Sequence, residues 1–127
     1  MIFTIPYDTP SKKNSRIVNR RTGRSFPSKA YSDWHVKAAL WIRTHYSINA
    51  LGNGPFSVSM AFNHGTLRRC DSDNKASSIL DLLVDLGVIE DDSWQVVRSL
   101  SVTNYYEKAM PSVTVKIFPY TEEFISK

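Results

Sequence analysis

PFSVSMAFNHGTLRRCDSDNKASSILDLLVDLG, residues 55–87, decides the fold because its hydrophobic period changes once along its length. Over 55–62, apolar residues alternate with small ones, which predicts a strand with one buried face. After a polar loop, apolar residues recur at spacings of three and four, which predicts a helix over about 74–86 with Gly87 at C′. The charged residues of the loop therefore lie between a strand and a helix that both contribute to the core.

The rest of the chain predicts an α+β fold without internal repeats. A chain of 127 residues fits a single domain with its own core, so we predict one compact domain over residues 1–127 with a mixed sheet and two main helices. The other predicted elements are a strand over 1–6, a basic loop or hairpin over 8–28, a helix over about 29–47 capped by Ser28, and strands over about 95–106 and 112–118.

Composition narrows the class of protein. No window approaches the roughly 18 to 20 consecutive apolar residues of a membrane span, and the first residues have no signal-peptide pattern. Cys70 is the single cysteine, which excludes an internal disulfide and suits a reducing compartment. We therefore expect a soluble protein of the cytoplasm, associated with the nucleoid, without a membrane partner.

Charge is segregated along the chain. Residues 1–69 carry 11 lysines and arginines against two acids, whereas residues 70–127 carry five against 10. The basic residues of 1–69 attract polyanions, which favours a nucleic-acid partner. The alternatives are that the basic loop is an inert charged loop and that the arginines at 68 and 69 belong to a solvated surface. The residues predicted to contact DNA phosphates are Lys12, Lys13, Asn14, Arg16, Arg20, Arg21, Arg24, Arg68 and Arg69.

Two acidic pairs are candidates for metal binding. Asp71 and Asp73 lie two residues apart before the second helix, and Asp91 and Asp92 follow it. Carboxylate oxygens suit Mg²⁺ or Mn²⁺, which also accept phosphate oxygens. The pairs lie at opposite ends of a helix about 20 Å long, so the chain has to fold back for them to meet. The alternatives are that Asp73 is an N-cap and that Asp91 and Asp92 form a turn.

The chain resembles the RusA-type Holliday-junction resolvases, which are often encoded by phages. The resemblance rests on PSKKNSR at 10–16, PSKAY at 27–31, RRCDSDN at 68–74, and Asp81 followed by GVIEDDSWQVV at 87–97. It implies a RusA-like, intertwined homodimer that cleaves four-way DNA junctions by Mg²⁺-dependent phosphodiester hydrolysis without a small-molecule cofactor. It further implies that Asp71, Asp73 and Asp92 are catalytic carboxylates with Asp91 beside them.

Two departures from the family pattern affect these assignments. The family has a lysine one turn after the second aspartate, where this chain has Ser77. Lys75 is the nearest candidate for the catalytic lysine, but on a helix it points roughly 160° away from position 77. Either Lys75 reaches the site from the first turn of the helix, or another basic residue takes this role. Trp94 is an extra residue after the second acidic pair, which leaves both Asp91 and Asp92 as candidate ligands, with Asp92 favoured by its distance from Asp81.

Three function classes follow. The first is a metal-dependent junction endonuclease, which we favour; the second is a non-catalytic module that binds structured nucleic acid; the third is an interaction protein whose acids only form caps and turns. Among the histidines, His64 is predicted to be a surface loop residue, with proton transfer or donation to a phosphate as the alternative, and His35 and His45 are assigned no function.

Overall fold

The computed structural model describes residues 1–11, 16–18, 20–69 and 72–122. The prediction of an α+β domain with two helices and a mixed sheet is confirmed within these ranges. The elements are β1 (Ile2–Ile5), β2 (Arg16–Val18), β3 (Ser25–Pro27), α1 (Lys29–His45), β4 (Phe56–His64), α2 (Ser72–Asp85), β5 (Val97–Tyr106) and β6 (Ser112–Pro119).

Helix α1 begins where the sequence predicts. The Ser28 side chain accepts a hydrogen bond from the Tyr31 backbone N–H at 3.2 Å, which satisfies one of the donors left without a partner in the first turn. The helix ends two residues earlier than expected because Tyr46 is in an extended conformation. Its buried residues recur at spacings of three and four and face the core: Tyr31, Trp34, Ala38 and Ile42.

One four-stranded sheet organises the domain, in the order β1-β6-β4-β5. Strands β4 and β5 are parallel, and the other neighbours are antiparallel. The predicted basic loop or hairpin over 8–28 contains an antiparallel pair, β2 with β3, outside that sheet. Since β4 and β5 are parallel, the connection between them has to cross back over the sheet, and α2 returns the chain to the end of the sheet where β4 begins.

The core lies between one face of the sheet and the two helices. The predicted alternation over 55–62 is confirmed, because every second residue of β4 from Phe56 to Phe62 is buried. Helix α2 contributes Ile79, Leu82 and Leu83, all fully buried, and ends before Gly87, whose φ of +73° is the left-handed conformation expected at C′. None of the described helices has the length and apolar character to span a membrane.

Candidate nucleic-acid and metal site

A groove lies at the end of the sheet where β4 and β5 both terminate. It has a volume of about 430 Å³ and opens to solvent. Its walls come from the ends of the two parallel strands and from the segment that leads to α2: His64, Thr66, Leu67, Arg68, Arg69, Asn104, Tyr105 and Tyr106. Both arginines are exposed, as expected for residues that bind phosphate, so the groove is positively charged along one wall.

Lys75 lies in the first turn of α2 and connects this helix to two other segments. Its Nζ donates to Asp8 Oδ1 at 2.9 Å and lies 3.0 Å from His64 Nδ1. The other ring nitrogen, His64 Nε2, is 2.8 Å from Asn104 Oδ1 on β5. The Lys75 side chain is only 13% exposed, so its ammonium is held largely inside the protein beside the groove.

Asp73 lies in the same first turn and is exposed. Helix α2 already begins at Ser72, so Asp73 is inside the helix and the alternative of Asp73 as the N-cap is wrong. A carboxylate in the first turn of a helix interacts favourably with the helix dipole. The structure therefore brings Asp73, Lys75 and the two groove arginines to one end of the sheet, whereas Asp71 and Cys70 lie outside the described residues.

Asp91 and Asp92 are exposed and lie in the connection between α2 and β5, shortly before the turn over 94–96. Hydrogen bonds to the Asp91 carboxylate lower its pKa below its ordinary value. The largest effect comes from the Ser93 side chain and the next from the Asp92 backbone. Asp91 is therefore ionised at neutral pH, and a charged oxygen donor of this kind suits a hard divalent cation.

Asp73 and the pair Asp91 and Asp92 lie at opposite ends of β4 within one chain. The Val96 carbonyl accepts from the Phe56 N–H at 2.7 Å, and the Ser93 carbonyl accepts from the Val96 N–H at 3.0 Å. These bonds place the segment with Asp91 and Asp92 near the start of β4. Lys75 contacts His64 at the other end of the strand. Eight residue steps of about 3.3 Å separate those ends, or roughly 26 Å. Helix α2 carries the chain from one end of β4 back to the other, so one chain does not bring Asp73 to Asp91 and Asp92.

The remaining predicted DNA contacts belong to residues 12–24, part of which forms the β2–β3 hairpin. Arg20, Arg21 and Arg24 are exposed in the turn between the two strands. Arg16 belongs to β2, but only its backbone is described. Lys12, Lys13 and Asn14 lie outside the described residues.

Helices α1 and α2 share a polar cluster that the sequence did not suggest. His35 Nε2 is 2.9 Å from Asp85 Oδ2, His35 Nδ1 is 3.8 Å from Asp81 Oδ2, and the Tyr31 hydroxyl donates to Asp81 Oδ2 at 2.6 Å. One ligand atom from each of His35, Asp81 and Asp85 lies within 4.8 Å of the others, so the group has donors for a cation. Burial is the main cause that raises the pKa of Tyr31 above its ordinary value, and the hydrogen bond to Asp81 raises it further.

Two residues of the groove end were not anticipated. His64 was predicted to be a surface loop residue, and this is wrong, because it is the last residue of β4 and its ring stacks against Phe62. The alternation of β4 continues through position 64, so a strand prediction two residues longer would have placed His64 on the helix side of the sheet. No sequence pattern pointed to Asp8, because it lies 67 positions before Lys75 in the chain.

Comparison with known proteins identifies the class of protein. The family model described as endodeoxyribonuclease RusA matches residues 6–118, a range that includes the groove, the basic hairpin and both groups of acids. The chain belongs to the RusA family of endodeoxyribonucleases. It is 24% identical over 111 residues to the crossover junction endodeoxyribonuclease RusA of Aquifex aeolicus (strain VF5), and the match covers 87% of this chain and 86% of that protein.

Proposed function

We propose that this protein is a divalent-metal-dependent endonuclease that cleaves four-way DNA junctions. The observation that carries the proposal is that the family match spans a positively charged groove with an acidic helix start beside it. The similarity to a crossover junction endodeoxyribonuclease over most of both chains supports branched DNA as the substrate.

The proposed metal ligands are Asp71, Asp73, Asp91 and Asp92, with Mg²⁺ or Mn²⁺ as the cation. The fit is chemical: Asp73, Asp91 and Asp92 are exposed carboxylates, and hard cations prefer oxygen ligands. A divalent cation in such a site activates a water molecule and offsets charge on the phosphate. The residues of the chain then have the task of binding the cation and of holding the DNA backbone beside it.

A single chain does not supply this set of ligands at one place, because Asp73 lies near one end of β4 and the segment with Asp91 and Asp92 lies near the other. We therefore propose that two copies form each site, with Asp71 and Asp73 from one copy and Asp91 and Asp92 from the other. Two-fold symmetry then generates two equivalent sites, as a substrate with two symmetry-related strands requires. On this proposal, the homodimer is a condition for metal binding as well as for symmetric cleavage.

Basic residues of two surfaces are proposed to bind the DNA backbone. Arg68 and Arg69 line the groove and supply positive charge next to the carboxylates, which would otherwise repel the phosphate. The exposed arginines of the β2–β3 turn are proposed to add further phosphate contacts, and Lys12, Lys13, Asn14 and Arg16 remain predicted DNA contacts. The proposed catalytic lysine is Lys75, because position 77 is a serine whose hydroxyl donates to the Asp73 carbonyl.

The test is cleavage of a synthetic four-way junction with a labelled strand, in Mg²⁺ and in EDTA. We expect symmetric cuts near the crossover in Mg²⁺ only. Salt-sensitive junction binding without cleavage in Mg²⁺ or Mn²⁺ would instead identify a non-catalytic module for structured DNA, and absence of binding would contradict both.

A further inference from the structure

We propose that Asp8 and His64 are positioning residues that hold the Lys75 ammonium directly behind the groove wall, from where it contacts a phosphate oxygen during cleavage. The inference rests on the proposed nuclease function and deepens it by adding two residues to the same site. It is carried by the continuous set of contacts from Asp8 through Lys75 and His64 to Asn104.

The directions of the hydrogen bonds follow from the chemistry of the groups. A lysine ammonium has three N–H donors and no acceptor, so His64 Nδ1 accepts from Lys75. A neutral imidazole then carries its proton on Nε2, which donates to Asn104 Oδ1. Asn104 thus fixes the tautomer of His64, and His64 in that tautomer presents a lone pair to the ammonium.

Burial shows why these partners matter to the position of the ammonium. An exposed lysine samples many rotamers, and ordering it costs conformational entropy. Lys75 has lost most of its contact with water and instead donates to two acceptors on different segments, the chain after β1 and the end of β4. A group fixed before the substrate binds does not have to be ordered during the reaction, which is the basis of preorganised catalysis.

The chain of contacts also forms part of the groove itself. His64 and Asn104 line the groove together with Arg68 and Arg69, so the Lys75 ammonium lies directly behind a wall that DNA would contact. Two bonds to protein acceptors leave an ammonium the capacity for one more acceptor. A phosphate oxygen in the groove is the ligand that this donor and the neighbouring guanidinium groups suit.

A purely structural role is the competing explanation, because the Asp8 contact also connects the segment after β1 to α2. The structure contains a second connection between the same segments: the buried Ser78 hydroxyl donates to the Pro10 carbonyl at 2.7 Å. Ser78→Ala removes that connection and leaves the contacts of the ammonium intact. It is therefore a matched control for loss of packing between these segments.

The experiment measures single-turnover cleavage of a four-way junction in Mg²⁺, junction affinity in EDTA, and unfolding in urea. The variants are Lys75→Ala, Asp8→Asn, His64→Ala and Ser78→Ala, together with Asp8→Asn and His64→Ala each combined with Lys75→Ala. Misplacing a reacting group by about 1 Å can cost roughly 100-fold, so we expect Asp8→Asn and His64→Ala to slow cleavage by about 10- to 100-fold. Their junction affinity should stay within about threefold, and Ser78→Ala should cleave at nearly the wild-type rate.

The combined variants decide between positioning and structure. If Asp8 and His64 act through the ammonium, adding either substitution to Lys75→Ala slows cleavage no further, because interacting residues are non-additive in a double-mutant cycle. The proposal would be overturned if the combined variants cleave more slowly than Lys75→Ala alone. It would also be overturned if Ser78→Ala lowers the cleavage rate in proportion to the stability that it loses. If the wild type cleaves the junction and the Asp8→Asn and His64→Ala variants cleave it equally fast, the positioning role is overturned but the nuclease function stands. If the wild type itself does not cleave, both the nuclease function and the positioning role are overturned.

Discussion

Mixing two inactive variants should restore cleavage if each metal site is built from two copies of the chain. One variant is Asp73→Asn, and the other carries Asn at both Asp91 and Asp92. Each alone has two defective sites per dimer and should cleave slower by orders of magnitude. In a mixed dimer, one site combines both defects, while the other combines an intact Asp73 with an intact Asp91 and Asp92.

The expected recovery follows from the separation of about 26 Å between the two ends of β4. Because one chain cannot bring the two groups together, complementation between copies is the only route to an intact site. Random exchange of subunits makes about half of the dimers mixed, each with one intact site of two, so the mixture should contain about one quarter of the wild-type number of sites.

The assay is single-turnover nicking of a four-way junction labelled on one strand, after the two variants are unfolded together and refolded. A matched control mixes Asp71→Asn with Asp73→Asn, which belong to the same proposed half of the site and should therefore not complement. Native mass spectrometry confirms that mixed dimers form. No recovery in a preparation with abundant mixed dimers would refute a site shared between two copies.

The basic hairpin and the α1–α2 cluster give two further predictions. Replacing Arg20, Arg21 and Arg24 with Ala should flatten the dependence of log junction affinity on log salt by about two to three units, since each phosphate contact contributes about 0.9; an unchanged slope would mean that the turn points away from the DNA. Tyr31→Phe should lower the free energy of unfolding by about 1.5–3 kcal/mol at neutral pH, because Tyr31 is buried and donates to a carboxylate. Since the folded-state pKa of Tyr31 is raised, the contribution of its hydroxyl to the free energy of unfolding is fully present below about pH 10 and is lost as the pH rises further. The free energies of unfolding of wild type and Tyr31→Phe, measured in urea, should therefore converge at strongly alkaline pH. A constant difference would contradict the raised pKa.

Local sequence patterns predicted most of the elements but not how they are arranged. Ser28 and Gly87 mark helix ends through their own chemistry, as an acceptor for an N–H group and as a residue free to adopt positive φ, so both were identified correctly. The alternation of β4 likewise gave its buried face. Nothing local, however, specifies that β4 pairs with β5 in parallel, because that pairing depends on which strands meet after the crossover.

The candidate site was predictable only where its residues are neighbours in sequence. Asp73 and Lys75 share one helical turn, so a short pattern contains both. Asp8 meets Lys75 across 67 positions and His35 meets Asp85 across a helix interface, and such contacts leave no periodic trace in a single sequence. The separation of Asp73 from Asp91 depends in turn on the direction of the chain after α2, which spacing alone leaves open.

The most direct measurement of the central claim is a pair of values for Asp73→Asn: single-turnover junction cleavage in Mg²⁺ and junction affinity in EDTA. Asn keeps the shape of the side chain but removes the charge that a hard cation needs, so cleavage should fall by orders of magnitude. Affinity in EDTA should stay unchanged or increase, because without metal the carboxylate repels phosphate. Near-wild-type cleavage by Asp73→Asn would contradict the metal role of this residue, and a parallel loss of affinity and cleavage would point to damaged folding instead.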